Sequence, residues 1–203
     1  GRTYRQVLDD VCYSVFQEGY TGGFGADGDH LKTAAEIANA LAEGYTMITL
    51  DGSQALGAGV ETLDEPSLLA RFDRLPAGEK RCYRETYLGQ VFELAAGNGP
   101  DQAVVFNETS LARCVLLYKD LVAFAAGIFR EQIRAAGRPV DFELSIDETG
   151  TVTTPQGHFF VAAELEALGV EATSLAPRFV GEFQKGIDYT GVLAALDDAL
   201  AQH

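Results

Sequence analysis

The stretch Val140-Asp-Phe-Glu-Leu-Ser-Ile146 decides the predicted fold. Apolar and polar side chains alternate along it, which is the pattern of a β-strand with one buried face and one polar face. A wholly polar face suits a strand that points into the lumen of a β/α barrel near its active end. A solvated edge strand would alternate in the same way, so both arrangements stay open. The expected buried face holds Phe142, Leu144 and Ile146, and the polar face holds Glu143, Ser145 and Asp147.

Signals for helices and strands alternate on both sides of this stretch. Each connection is long enough to join parallel strands, which takes about a dozen residues or more. The predicted fold class is therefore α/β: parallel strands alternating with helices, as part of a (β/α)8 TIM-type barrel or as a small open sheet, in a single domain over 1–203. The predicted helices are 3–17, 31–42, 67–72, 80–96, 108–136, 157–168 and 191–203, and the predicted strands are 20–26, 45–50, 140–146 and 170–175.

The composition is that of a globular domain with an acidic surface. The chain has 203 residues, of which 47% are hydrophobic. It has no run of about 18 apolar residues, so we expect no membrane span. A net charge of −15 disfavours nucleic acid and anionic membranes as partners. Cys12, Cys82 and Cys114 are odd in number and widely spaced, which favours reduced core thiols in a cytoplasmic protein.

A second informative stretch is Gly25-Ala-Asp-Gly-Asp-His-Leu-Lys32, which gathers two carboxylates, an imidazole and an ammonium. It follows a short glycine-rich run and precedes a helical one, so we expect it at a strand-to-helix junction, where α/β enzymes keep their catalytic groups. A histidine beside a turn carboxylate is a common metal-binding arrangement. The alternative is an Asp/Gly-rich turn in which Asp27 or Asp29 caps the following helix.

A third stretch, from Ser174 to Tyr189, is long for a connection after a strand and carries several charged side chains. Loops of this length are usually functional or disordered. Arg178 suits bidentate binding of a substrate carboxylate, and Lys185 adds a second cation. The alternative is a solvated loop whose ion pairs are worth less than about 1 kcal/mol each.

Four segments are informative together: Gly22-Gly-Phe-Gly-Ala-Asp-Gly-Asp-His-Leu-Lys-Thr33, Glu143-Leu-Ser-Ile-Asp-Glu-Thr149, His158-Phe-Phe160 and Ser174-Leu-Ala-Pro-Arg-Phe-Val-Gly-Glu-Phe-Gln-Lys-Gly-Ile-Asp-Tyr189. In this order along the chain, they resemble the tagaturonate epimerase family. The resemblance implies a metal-dependent (β/α)8 enzyme that interconverts D-tagaturonate and D-fructuronate. Family members are considerably longer, so we expect this chain to be a fragment that lacks a His-containing Ser-Gly-Ser-Asp-Lys segment beyond its end.

The resemblance also implies a mechanism. The two ketouronates differ at a hydroxyl-bearing carbon that is β to the ketone, where simple enolisation cannot invert the configuration. Retro-aldol cleavage and re-addition can, with a divalent metal (Zn, Mn, Co, Ni or Fe) as the Lewis acid. The expected roles are His30 as metal ligand, Asp29 as base, Glu143 as acid, Lys32, Arg178 and Lys185 as ligands of the ketouronate substrate, and Glu182 or Asp188 as further metal ligands.

Two other functions fit the same residues. The chain could be a non-catalytic sugar-acid-binding or scaffold domain, which would form a homo-oligomer or need its missing half because half a barrel leaves a sheet edge open. It could also be a metal-dependent isomerase or aldolase acting on another sugar acid, since one fold hosts many chemistries. Asp51, at the end of a strand, is either a pocket residue or a turn former, and His158 is expected to be structural.

Overall fold

Four parallel strands form the central sheet, in the order β1-β2-β5-β6. The structure is a computed structural model that describes residues 1–94, 102–184 and 186–203. Helices alternate with these strands, and a two-stranded antiparallel hairpin, β3-β4, lies outside the sheet. The elements are α1 (Tyr4–Gln17), β1 (Asp27–Leu31), α2 (Ala34–Glu43), β2 (Met47–Asp51), α3 (Glu65–Phe72), α4 (Ala77–Tyr87), β3 (Val91–Leu94), β4 (Gln102–Val105), α5 (Glu108–Ile128), β5 (Asp141–Ile146), α6 (Pro155–Ala167), β6 (Ser174–Pro177) and α7 (Leu193–Gln202).

Strand β5 has the two faces that its alternating sequence predicts. Phe142 and Leu144 are fully buried in the hydrophobic core and Ile146 is nearly so, whereas Glu143 is only partly buried. On the opposite face, Glu143 is paired in register with Thr49 of β2 on one side and with Ser174 of β6 on the other. The core therefore stabilises the sheet from one face and leaves the other face to polar side chains.

Helix α5 forms the centre of the helical layer. Twelve of its 21 residues are buried, including Leu111 and Leu121, which are completely inaccessible. The predicted helix over 108–136 is confirmed in extent, although its last part consists of a π-helical segment, Phe129–Ile133, and a 3₁₀ turn, Arg134–Ala136. The helix begins at a capping box between Asn107 and Ser110, which satisfies two backbone amides at its start.

Strand β1 lies later in the chain than the sequence pattern predicts. The prediction of a strand over 20–26 is wrong, because those residues form no regular element and the strand begins at Asp27. The glycine-rich run offers few side chains that could pack against a sheet, whereas Asp27, Gly28 and Leu31 pair in register with β2. The stretch from Gly25 to Lys32, expected at a strand-to-helix junction, therefore consists largely of β1 itself.

Two other boundaries and two cysteines also differ from prediction. The predicted helix over 80–96 ends at Tyr87, because Gly89 adopts a left-handed conformation (φ +73°) and turns the chain into β3; residues 95 and 96 lie outside the described residues. The strand predicted over 170–175 begins only at Ser174. Cys114 is buried as expected, but Cys12 and Cys82 are exposed, so they are not core thiols. No helix in the described part of the chain is long and apolar enough to cross a membrane.

The buried face of β5 makes a stability prediction. Phe142→Ala removes a completely buried ring and should lower the free energy of unfolding by about 3–5 kcal/mol. Phe16→Ala is the matched control, because that ring is 84% exposed on α1; it should change the free energy by less than about 0.5 kcal/mol. Urea unfolding followed by circular dichroism measures both, and equal losses would contradict the assignment of this face to the core.

The His158–His203 contact makes a prediction about pH. The Nδ1 atoms of the two rings lie 2.9 Å apart, and burial lowers the pKa of both histidines from 6.5. The unfolded chain therefore binds protons more readily than the folded chain below about pH 6.5, so stability should be complete above that pH and decline as the pH falls. Urea unfolding at pH 5 to 8 should show a decline that His158→Gln reduces; an unchanged decline in the variant would refute this assignment.

Candidate active site

His30 occupies an unusual backbone conformation near the end of β1. Its φ is +54°, the left-handed region, and it is the one non-glycine residue with positive φ in the described chain. The pairing of β1 with β2 shifts register between Gly28 and Leu31, so the strand is irregular at this residue. A left-handed conformation costs a non-glycine residue about 1–2 kcal/mol. Such strain is found mainly at functional sites, where the surrounding structure maintains it.

Three carboxylates surround the His30 ring. Its Nδ1 lies 3.7 Å from Asp51 Oδ2 and 3.9 Å from Glu148 Oε1, and its Nε2 lies 3.7 Å from Asp29 Oδ1. Asp29 and His30 come from β1, Asp51 ends β2, and Glu148 follows β5. The carboxyl ends of three neighbouring parallel strands thus supply this cluster, which is where α/β sheets bind their ligands.

Lys32 adds a cation to the cluster. Its Nζ lies 2.9 Å from Asp51 Oδ2 and 3.5 Å from Glu148 Oε2, and contact with Asp51 raises the pKa of Lys32. The side chain of Glu36 holds the backbone of this residue, because it accepts hydrogen bonds from the amides of Lys32 and Thr33. The capping box between Thr33 and Glu36 therefore starts α2 and also fixes the position from which Lys32 extends.

Asp51 is the buried member of the cluster, with only 1% of its side chain exposed. Burial opposes its ionisation, but hydrogen bonds from Ser53 and the charge of Lys32 outweigh that effect and lower the pKa of Asp51 to about 2. Oδ1 accepts a hydrogen bond from the Ser53 amide, whereas Oδ2 has the Lys32 ion pair but no aligned hydrogen bond. Asp51 therefore presents a charged oxygen to His30 and Lys32.

The donor atoms of His30, Asp51 and Glu148 fit a divalent metal ion. One atom from each residue lies within 4.8 Å of the others. Two ligands of a tetrahedral ion at about 2.1 Å stand about 3.4 Å apart, close to the observed separations. His30 Nδ1 and Asp51 Oδ2 are also the two buried side-chain atoms without a hydrogen-bond partner in the described part of the chain. Imidazole with carboxylates suits several transition metals.

A row of polar side chains crosses the sheet next to this cluster. Thr49 donates its amide hydrogen to Asp27 Oδ1 at 3.1 Å, and its hydroxyl lies 2.9 Å from Asp27 Oδ2 and 3.3 Å from Glu143 Oε1. Ser174 donates a hydrogen bond to Glu143 Oε2 at the other end of the row. Burial raises the pKa of Asp27, the Thr49 hydrogen bonds oppose that effect, and the charges of Asp29 and Glu143 add to it. Glu143 is thus placed on the polar face, as the sequence predicts.

Arg178 lies beside a separate cavity of 330 Å³. Its Nη1 donates a hydrogen bond to the carbonyl oxygen of Asp147 at 3.4 Å, one residue before Glu148. Among the described residues, the cavity lining includes neither His30 nor Glu143. The predicted ligand Lys185 lies outside the described residues. The cavity is lined by Asp147, Pro177, Arg178, Phe179, Gly181, Glu182, Phe183 and Gln184.

Sequence reasoning missed part of this site. It left Asp51 undecided between a pocket residue and a turn former, and in the structure Asp51 accepts a hydrogen bond from the Ser53 amide and also contacts Lys32. It gave Glu148 no role, although Glu148 follows the polar strand directly. The further metal ligands it expected, Glu182 and Asp188, are not in the cluster around His30. Asp51 could have been selected, because the ends of neighbouring parallel strands converge.

Comparison with known proteins decides the family. The profile of the tagaturonate epimerase family matches residues 1–203. The chain belongs to this family. It is 40% identical over 204 residues to the tagaturonate/fructuronate epimerase of Thermotoga maritima, and that match covers 100% of this chain and 40% of the relative.

Crystal structures of a second epimerase are similar to this chain along its whole length. The native fructuronate-tagaturonate epimerase UxaE from Cohnella laeviribosi is 45% identical with a TM-score of 0.93, and a glycerol complex of it is 46% identical with a TM-score of 0.92. Each comparison covers 100% of this chain and 40% of the relative. This member of the tagaturonate epimerase family therefore spans two fifths of the length of the epimerases that it matches.

The ion pair between Lys32 and Asp51 predicts how substitutions change the binding of metal ions. The Lys32 ammonium occupies the same carboxylate oxygen that a metal ion would use, so Lys32→Met should raise the affinity for Mn²⁺ or Zn²⁺ several-fold, and His30→Ala should lower it. Lys80→Met is the matched control, because Lys80 pairs with Asp73 elsewhere. Isothermal titration with elemental analysis measures binding. Equal affinities in Lys32→Met and Lys80→Met would show that the cluster does not hold the ion.

Proposed function

We propose that this chain carries catalytic residues of a metal-dependent epimerase that interconverts D-tagaturonate and D-fructuronate. The observation that carries the proposal is the His30 cluster, where a strained histidine with an unbonded buried nitrogen faces carboxylates at the ends of three strands. The family membership supplies the substrate class, since the matched relatives are named for these two sugar acids. A ketouronate is an anion, and Lys32 and Arg178 offer the positive contacts that an acidic chain needs locally.

The proposal extends to the fold of the complete polypeptide, which we propose to be a (β/α)8 barrel. The strands β1, β2, β5 and β6 are all parallel and lie in chain order across the sheet, as successive strands do in a (β/α)8 barrel. Within the described chain, β1 and β6 are the edges of this sheet. The matched epimerases are two and a half times as long, which leaves enough chain for the remaining units. A cytoplasmic location is supported by the three free cysteines, and homo-oligomer formation remains part of the proposal.

Asp29 is the proposed base. Its carboxylate lies beside the His30 ring, and its side chain is 51% exposed, so a substrate hydroxyl can reach it. The base takes the proton of the hydroxyl on the β-carbon, the bond between the α- and β-carbons breaks, and an aldehyde and an enediolate result. Rotation of the aldehyde exposes its other face, and the bond forms again with inverted configuration. The proton then returns to the new alkoxide, so the reaction is balanced.

The other residues are proposed to act as the acid, to bind the substrate and to hold the metal ion. Glu143 is the proposed acid, because it lies on the same polar face as Asp29 but in a hydrogen-bonded position between two hydroxyls. Lys32 and Arg178 are the proposed ligands of the substrate carboxylate and hydroxyls. His30, Asp51 and Glu148 would hold the divalent ion, which supplies Lewis-acid polarisation of the ketone when it is bound.

The proposed base makes a prediction about activity. In the complete polypeptide that carries this segment, Asp29→Asn should lower kcat for ketouronate epimerisation by about 10²–10⁴-fold, because the amide cannot accept the hydroxyl proton. KM should change little, since the side chain keeps its size. Asp197→Asn on the exposed face of α7 is the matched control and should leave kcat unchanged. Turnover is measured by following the two ketouronates by ¹³C NMR.

The outcomes separate the alternatives. Full turnover in Asp29→Asn would refute the role of Asp29 but leave the activity in place. No turnover in the wild-type polypeptide loaded with Zn²⁺, Mn²⁺, Co²⁺, Ni²⁺ or Fe²⁺, together with measurable ketouronate binding, would favour a non-catalytic sugar-acid-binding domain. Turnover of another sugar acid in place of the ketouronates would identify a different isomerase or aldolase.

A further inference from the structure

Thr49 lies between two carboxylates in a position closed to water. The residue is only 2% exposed, and its hydroxyl oxygen is 2.9 Å from Asp27 Oδ2 and 3.3 Å from Glu143 Oε1. The register of the sheet fixes this arrangement, because Thr49 and Glu143 are paired across β2 and β5.

The number of protons constrains this arrangement. A threonine hydroxyl has one hydrogen to donate, and an ionised carboxylate can only accept. The Thr49 amide donates to Asp27 Oδ1, but two ionised carboxylates cannot both accept the single hydroxyl hydrogen, and the oxygen left over would face a hydroxyl lone pair. Both contacts become hydrogen bonds when one carboxyl keeps a proton and donates it to Thr49, while Thr49 donates its own hydrogen to the other. A single proton added to the two ionised carboxylates therefore turns both contacts of the Thr49 hydroxyl into hydrogen bonds.

The flanking groups show where that proton rests. Glu143 lies between two hydroxyls, those of Ser174 and Thr49. Burial raises the pKa of Asp27, and the negative charges of Asp29 on its own strand and of Glu143 on β5 raise it further, against the opposing effect of the Thr49 hydrogen bonds. In the resting row the proton is therefore on Asp27, at the edge strand.

We propose that Asp27 is a positioning residue that shares one proton with Glu143 through the hydroxyl of Thr49. The step is balanced: Asp27 gives its proton to Thr49 Oγ1, and Thr49 passes its own hydrogen to Glu143 Oε1. The negative charge moves from Glu143 to Asp27, and Glu143 becomes the protonated acid that the proposed function requires. The inference rests on that function for the use of the proton, but the sharing itself is a property of the three side chains.

The test follows the carboxyl groups directly. In the complete polypeptide, the side-chain carboxyl ¹³C signals of Asp27 and Glu143 are followed by NMR from pH 3 to 9. We expect coupled titrations, in which Glu143→Gln lowers the midpoint of Asp27 by about one pH unit, because Asp27 otherwise loses its proton beside an ionised Glu143. Thr49→Val keeps the volume but breaks the bridge, and Thr49→Ser should restore the coupled behaviour.

A matched control lies at the start of β5. The carboxylate of Asp141 accepts a hydrogen bond from Thr173 at 3.3 Å. Asp141 is not among the charges that shift the pKa of Asp27, so Asp141→Asn should leave the Asp27 titration unchanged. Near-ultraviolet circular dichroism establishes that the variants are folded, and Thr49→Ser provides the test if Thr49→Val is not. Independent titration of Asp27 and Glu143, or the same Asp27 midpoint in Glu143→Gln as in wild type, would overturn the proposal.

Enzyme kinetics separate this inference from the proposed function. We expect the alkaline limb of the kcat profile to move to lower pH in Asp27→Asn and in Thr49→Val, with KM constant, and to keep its wild-type position in Thr49→Ser. Coupled titrations without ketouronate turnover would support the shared proton and refute the epimerase activity. Turnover with uncoupled titrations would leave the activity in place and refute the shared proton.

Discussion

The buried carboxylate of Asp51 is the constraint on which the rest of the site depends. A charge held away from water costs several kcal/mol unless nearby groups compensate it. Here the compensation comes from the Ser53 amide and from Lys32, which belong to the turn after β2 and the junction after β1. The two strands must therefore end at matching heights, and His30 is drawn against the same oxygen.

The polar face of the sheet has two neighbouring layers with different chemistry. One layer, paired across β2, β5 and β6, is Thr49, Glu143 and Ser174, and its side chains exchange hydrogen bonds. The next layer contains Asp51 paired with Ser145, and it is the layer of charge. The opposite face of β5 lies in the hydrophobic core, whereas Thr49, Asp51 and Ser145 on the polar face are buried among polar partners.

Much of the fold could be predicted from local pattern. The period-two alternation of β5 gave its faces correctly, and the long apolar run gave the extent of α5. The position of β1 could not be predicted in this way, because Asp27, Asp29 and His30 are unlike strand residues in propensity. Asp27 and Leu31 pair with β2 on either side of an irregular stretch that contains Asp29 and His30, and that is a tertiary effect which no short window contains.

The residues of the candidate site also fall into two groups, those that local sequence identifies and those that only the fold brings together. Asp29, His30 and Lys32 could be selected because they are close in sequence and chemically unusual together. Glu143 could be selected because of the face of its strand. Asp51 and Glu148 join His30 only through the pairing of strands far apart in the chain, and Asp27 gains its place through Thr49. Contacts of this kind depend on register, which composition and spacing do not specify.

The long chain segment between β2 and β5 affects how the protein folds. These strands are neighbours in the sheet, yet Thr49 and Glu143 are separated by 94 positions, with three helices and a hairpin between them. Closing so large a loop costs chain entropy before any contact compensates it. During synthesis the ribosome releases Asp27, Asp29 and His30 long before Glu143 and Glu148. The residues of the site on β1 and β2 therefore stay without Glu143 and Glu148 until α5, β5 and the residues directly after β5 have emerged.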